Sequence, residues 1–186
     1  MLQPVVFHPQ PSETEPEAGR CLFVGSNIAP NKTGLDWLLK EVWPRVTTAY
    51  PQAKLAVVGG ICQSLTEASP DVEKVGLVES MAAEYAKAAV CVVPLLLGTG
   101  IKIKLVEAMS FGKATVSTTI GVEGLEQWAS GAIEVADDPA DFAAAVVKLL
   151  GDAAERKAHE AAALEVIRAH YDAGAPPDPE FLAAVL

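Results

Sequence analysis

Short, largely apolar runs recur along the chain at Cys21–Val24, Leu55–Val58, Val90–Val93, Ala114–Ser117 and Ala132–Val135, with a weaker one near Val75. Such runs read as strands buried on both faces. Between them, apolar residues fall at helical spacing. Leu35, Leu38, Leu39, Val42 and Val46 share one broad face of a helix that Thr33 or Asn31 caps, and Pro44 bends that helix or ends its first part. Ser80 or Glu79 opens a helix through Ala88, and Ile101–Phe111 forms another that Gly112 stops. Asp138 before Pro139 is a helix N-cap with proline in the first turn, and helices follow over Pro139–Leu150 and Ala153–His170. Ile61–Asp71 is an irregular or weakly helical connection, Thr118–Ala129 a loop, and Val5–Phe7 a short strand candidate. Strands alternating with helices predict an α/β fold, a parallel sheet with helices on both faces.

In such sheets ligands bind beyond the carboxyl ends of the strands. The exits at Gly25, Gly59, Gly98 and Thr118 share that rim, so a crevice is expected there. The richest stretch is Pro94–Gly112, where a strand passes through Gly98-Thr99-Gly100 into a helix. A helix N-terminus offers free amides and a partial positive charge, and glycine lets an anion come close. At about 100° per residue, Ile101, Leu105, Ala108 and Met109 share the face that packs on the sheet. Lys104 and Glu107 then lie together on another side, about 60° apart. A cation and a carboxylate below a phosphate-ready loop suit a diphosphate joined to a hydroxyl-rich sugar. The same spacing also fits an ordinary exposed i,i+3 ion pair.

Composition narrows the classes. With 186 residues and 51% hydrophobic side chains, the chain fits one domain with an appended arm. The boundaries expected are a proline- and glutamate-rich segment over 1–20, the domain over 21–172 and a tail over 173–186. A formal net charge of −10 argues against nucleic-acid binding. No run reaches the length of a membrane span and no signal segment begins at Met1, so the chain reads as soluble and cytoplasmic. Cys21, Cys62 and Cys91 read as reduced core thiols, and Trp37 and Trp43 as packing residues. His8, His159 and His170 have no metal-ligand spacing, and no metal is expected.

Three blocks, in order, carry a resemblance: FVGSNIAPNKTGLDWLLKEVWP, YPQAKLAVVG, and the region from Val75 through VVPLLLGTGIKIKLVEAMSFGKATVSTTIGVEGL. From about Cys21 to Tyr171 the chain resembles the C-terminal, donor-binding half of a GT-B nucleotide-sugar glycosyltransferase of the retaining group 1 family. The resemblance implies a Rossmann-like domain and a nucleotide-diphosphate sugar as donor substrate, with no further cofactor and no metal. Glu107 matches the later of the family's two signature glutamates, which in relatives holds the ribose hydroxyls. The earlier position is Thr99 here, and the arginine common after the first strand is absent between Ser26 and Lys32.

The donor-binding residues expected are Gly25, Ser26, Gly98, Thr99, Gly100, Ile101, Lys104 and Glu107, with Lys104 and the amides of Thr99, Gly100 and Ile101 on the diphosphate. Lys32 and Glu123 are further rim candidates. No catalytic base is assigned to this chain. Its expected partner is an N-terminal acceptor-binding domain of the same parent protein, through which any membrane contact would run. Alone it should not transfer sugar. Two alternatives stay open: a nucleotide-sugar epimerase-like domain, and a non-catalytic module that kept the fold.

Overall fold

The computed structural model describes residues 10–12, 14–65, 69–98 and 102–170. The strand candidate Val5–Phe7 and the tail over 173–186 lie outside the described residues. Six strands form one parallel sheet: β1 (Arg20–Val24), β2 (Lys54–Val58), β3 (Val72–Gly76), β4 (Val90–Val93), β5 (Thr115–Ser117) and β6 (Ile133–Val135). Their order is β3-β2-β1-β4-β5-β6. The chain therefore builds outward from β1 to one edge, returns to the middle at β4, and builds to the other edge. Strand order reverses between β1 and β4, which is where doubly wound sheets open a crevice.

Both faces of the middle of the sheet are covered, which is why β1, β2 and β4 are largely apolar without alternation, whereas the edge strand β3 carries exposed Glu73 and Lys74. Cys21, Phe23, Leu55, Val57, Val90 and Val92 face one helical layer, while Leu22, Ala56, Val58 and Cys91 face the other. The first layer comprises α1 (Ala29–Trp37), a π-helical turn (Leu38–Val42), α2 (Trp43–Ala49) and α7 (Pro139–Gly151). The second side carries α3 (Met81–Lys87), α4 (Ile103–Ser110) and α8 (Ala153–His170). Trp43 is 3% exposed and Trp37 meets Phe142 edge-on at 5.3 Å, so both tryptophans pack. All three cysteines are buried and free. Asp138 caps α7 as expected, its Oδ1 accepting from the amide of Ala140 at 2.8 Å.

Two expectations about these elements need correction, and two hold. The first helix begins at Ala29, with Ile28 as N-cap and no side-chain cap, so neither Thr33 nor Asn31 caps it. Pro30 is already set for a first turn, and Asn31 is turned to other partners. Pro44 ends the first part of the helix as expected: it stands in the first turn of α2, and because proline has no N–H to give, the preceding turn widens until the amide of Trp43 reaches the carbonyl of Leu38, five residues back. The stretch Thr118–Ala129 holds two short helices, α5 (Thr119–Val122) and α6 (Glu126–Ala129). Thr118 caps the first, accepting from the amide of Gly121 at 3.1 Å. The connection after β2 is weakly helical as expected, beginning as a 3₁₀ turn over Gly60–Ser64.

Candidate functional site

Beyond the carboxyl ends of β1, β2 and β4 lies a crevice of about 530 Å³. Its walls come from Gly25 and Ser26 after β1, Gly59 and Gly60 after β2, Leu95, Leu97 and Gly98 after β4, and the starts of α1 and α4. Glycine is required at one of these exits. Gly59 has φ +103°, and a Cβ there would stand 2.4 Å from the carbonyl oxygen of Gly25. The two backbone exits pass so closely that no side chain fits between them. Gly34 does the same for α1, since a Cβ would stand 2.2 Å from the carbonyl oxygen of Pro94. The start of α1 is thereby drawn against the exit of β4.

Among the expected site residues, Gly25, Ser26, Gly98, Lys104 and Glu107 line this crevice together. Thr99, Gly100 and Ile101 lie outside the described residues. The helix expected over Ile101–Phe111 runs from Ile103 to Ser110, with Lys102 as N-cap. Gly112 ends it as expected, at φ +62°. Leu105, Ala108 and Met109 are buried on it, and so is Val106.

Lys104 and Glu107 both border the crevice but do not pair with each other. The ammonium of Lys104 donates to Oδ1 of Asn31 and sits 5.5 Å from the centre of the Phe23 ring. Burial, with a smaller push from Lys102, lowers it to about 8. Asn31 is fixed for this task, because its amide nitrogen donates to the carbonyl of Ser26 at 2.9 Å. The carboxylate of Glu107 instead accepts from the hydroxyl of Tyr85 at 2.9 Å. Burial raises the Glu107 carboxyl, and this hydrogen bond pulls it partly back. Lys102 is buried at the start of α4 and pairs with Glu123 at 3.7 Å. Glu123 thus reaches the rim through a lysine. Lys32 is exposed and is not among the lining residues.

Sequence reasoning missed Asn31 as the partner of Lys104 and Tyr85 as the partner of Glu107. The first pair spans 73 positions and the second 22, so no spacing rule links them. Elsewhere, Glu134, Glu155 and His159 bring ligand atoms within 4.8 Å of one another. The ammonium of Lys148 already bonds both carboxylates, at 3.0 and 2.7 Å, and supplies the positive charge there. Among the described residues, no helix is long and apolar enough to cross a membrane.

Comparison with known proteins bears on this geometry. Residues 18–152 match the family model described as glycosyl transferases group 1. An uncharacterized 44.6 kDa protein in the cps region of Klebsiella pneumoniae is 31% identical over 163 residues, covering 81% of this chain and 42% of its own length. The crystal structure of TarM superposes with a TM-score of 0.75 at 16% identity, over 90% of this chain and 35% of that one. A TarM mutant from S. aureus is known in complex with fondaparinux, alpha-GlcNAc-glycerol and UDP. The C-terminal domain of the group 1 glycosyl transferase LpcC from Francisella tularensis gives a TM-score of 0.64 at 15% identity, over 93% of this chain and 100% of that domain. The chain thus spans less than half the length of the Klebsiella and TarM chains it matches, yet has the fold of an isolated C-terminal domain.

Proposed function

On the premise that this chain belongs to the glycosyl transferases group 1 family, we propose that it is the donor-binding half of a GT-B enzyme. That enzyme moves a sugar from a nucleotide-diphosphate donor to an acceptor held by an N-terminal domain. The observation that carries this reading is the crevice at the strand-order reversal, into which Lys104 and Glu107 both open with separate partners. The Asn31 carbonyl is neutral and leaves the positive charge of Lys104 uncompensated, so the diphosphate supplies the missing anion. The starts of α1 and α4 face the same space and add amide donors. Glu107 accepts from the ribose hydroxyls.

In catalysis, these groups hold the donor and stabilise charge on the departing nucleoside diphosphate. Gly25, Ser26 and Gly98 are assigned to donor contact as rim backbone, and the amides of Thr99, Gly100 and Ile101 to the diphosphate. The resemblance gives retention of anomeric configuration and a reaction without a bound metal. The working location is the cytoplasm, and the acceptor domain carries any membrane contact.

Calorimetric titration of the whole parent protein with UDP-, GDP- and ADP-sugars tests the reading. One of these donors should bind, and Glu107→Ala should weaken it by about ten- to a hundredfold, the worth of a charge-assisted hydrogen bond. Binding that ignores Glu107→Ala would overturn the assignment.

A further inference from the structure

Glu107 is not held by its own helix alone. Its carboxylate accepts from the hydroxyl of Tyr85 on α3, at 2.9 Å. Four residues further along the chain, Phe111 stacks on the ring of the same tyrosine, with centroids 4.5 Å apart and planes 15° apart. Residues four apart share a helical face. One edge of the helix end thus grips Tyr85 twice, by its ring and by its hydroxyl. Tyr85 is itself immobilised, being 1% exposed among Leu22, Ala56, Val58, Cys91 and Ala108. Its neighbour Glu84 ties α3 to the sheet, pairing with Arg20 on β1 at 3.0 Å.

We propose that Tyr85 is a positioning residue for the donor's sugar hydroxyls. Its phenol occupies one oxygen of Glu107 and aims the other into the crevice. This rests on the reading of Glu107 as the ribose contact. Tyr85 does not itself line the crevice. A carboxylate half-withdrawn from water loses ionisation and rotamer definition unless a donor meets it. A buried phenol is a donor of fixed direction, and burial raises the Tyr85 hydroxyl well above its ordinary value, which keeps the proton on it. The carboxylate therefore receives a hydrogen bond on Oε2, and Oε1 faces the ligand with its geometry set beforehand.

The test compares two probes on the intact parent protein: a nucleoside diphosphate and its 2′,3′-dideoxy form, with the base chosen by the titrations above. The ratio of their affinities reports hydroxyl recognition alone, because loosened packing weakens both probes together. Wild type should favour the ribo form by about tenfold or more. Tyr85→Phe should cut that ratio by about three- to tenfold and leave the dideoxy affinity within about twofold. An unchanged ratio in Tyr85→Phe, with discrimination intact in wild type, would overturn the positioning role and leave the reading of Glu107 standing. A wild type that does not discriminate, or a Glu107→Ala variant that still does, would overturn both. If Tyr85→Phe does not fold, Phe111→Leu decides: it keeps the hydroxyl but removes the stack, and it should lower the ratio by a smaller factor. An unchanged ratio there would again overturn the role.

Discussion

The ammonium of Lys104 donates to the side-chain carbonyl of Asn31, 73 positions earlier in the chain. This bond crosses the mouth of the crevice from α4 to α1. It gives a buried cation a polar partner without giving it a counter-charge. A site prepared for an anion needs this arrangement, since a carboxylate in the place of Asn31 would compete with the ligand.

Removing the charge should therefore stabilise the fold while destroying the site. Lys104 titrates lower in the folded chain, about 8, than in the unfolded one. Its contribution is fully favourable above the unfolded value and is lost as pH falls through about 8. At neutral pH the charged side chain costs stability. Lys104→Met should thus raise stability by about 1–3 kcal/mol at pH 7, a gain that shrinks as pH rises from about 8 toward 10.5. Urea unfolding at several pH values checks the gain, and calorimetry checks the loss of nucleotide affinity.

The same titration should appear in binding. Diphosphate affinity is expected to fall as pH rises through about 8, where Lys104 loses its proton. A bound anion favours the charged lysine, so binding near pH 8 should take up a proton. Calorimetry in buffers of different ionisation enthalpy measures that uptake. In Lys104→Met the uptake should vanish.

Asn31→Asp places a carboxylate on the ammonium. The expected results are a higher melting temperature and a nucleotide affinity lower by about tenfold. Thermal melts and titrations on the same sample measure both. A variant that binds as tightly as wild type would mean that the cation is not the anion's seat.

Gly34→Ala probes how the two walls of the crevice are set. The added Cβ would meet the carbonyl oxygen of Pro94 at 2.2 Å, so α1 must move away from the exit of β4. Overpacking of this kind costs about 1–3 kcal/mol, more than alanine's helical advantage returns. Chemical denaturation should show the loss.

The sheet was legible because its central strands are buried on both faces. Val90–Val93 coincides with β4, and the other apolar runs match their strands to within a few residues. The helix Ala153–His170 and the cap at Asp138 were equally plain, the latter because proline and aspartate have strong positional chemistry. The start of α4 was not, since the sequence carries no capping side chain and the structure has none at Lys102. The π-helical turn was hidden because it is a backbone adjustment to Pro44. In the site, Lys104 and Glu107 could be picked out on one helix, but the wheel placed them together as partners. Their true partners, Asn31 and Tyr85, come from other elements, and only the fold brings them near.

A crystal structure of the parent protein with its tightest nucleoside diphosphate would decide most directly. A phosphate oxygen is expected within about 3.2 Å of the Lys104 ammonium and a ribose hydroxyl within about 3 Å of the Glu107 carboxylate. A nucleotide seated elsewhere, or one in this crevice whose ribose leaves Glu107 untouched, would contradict this assignment.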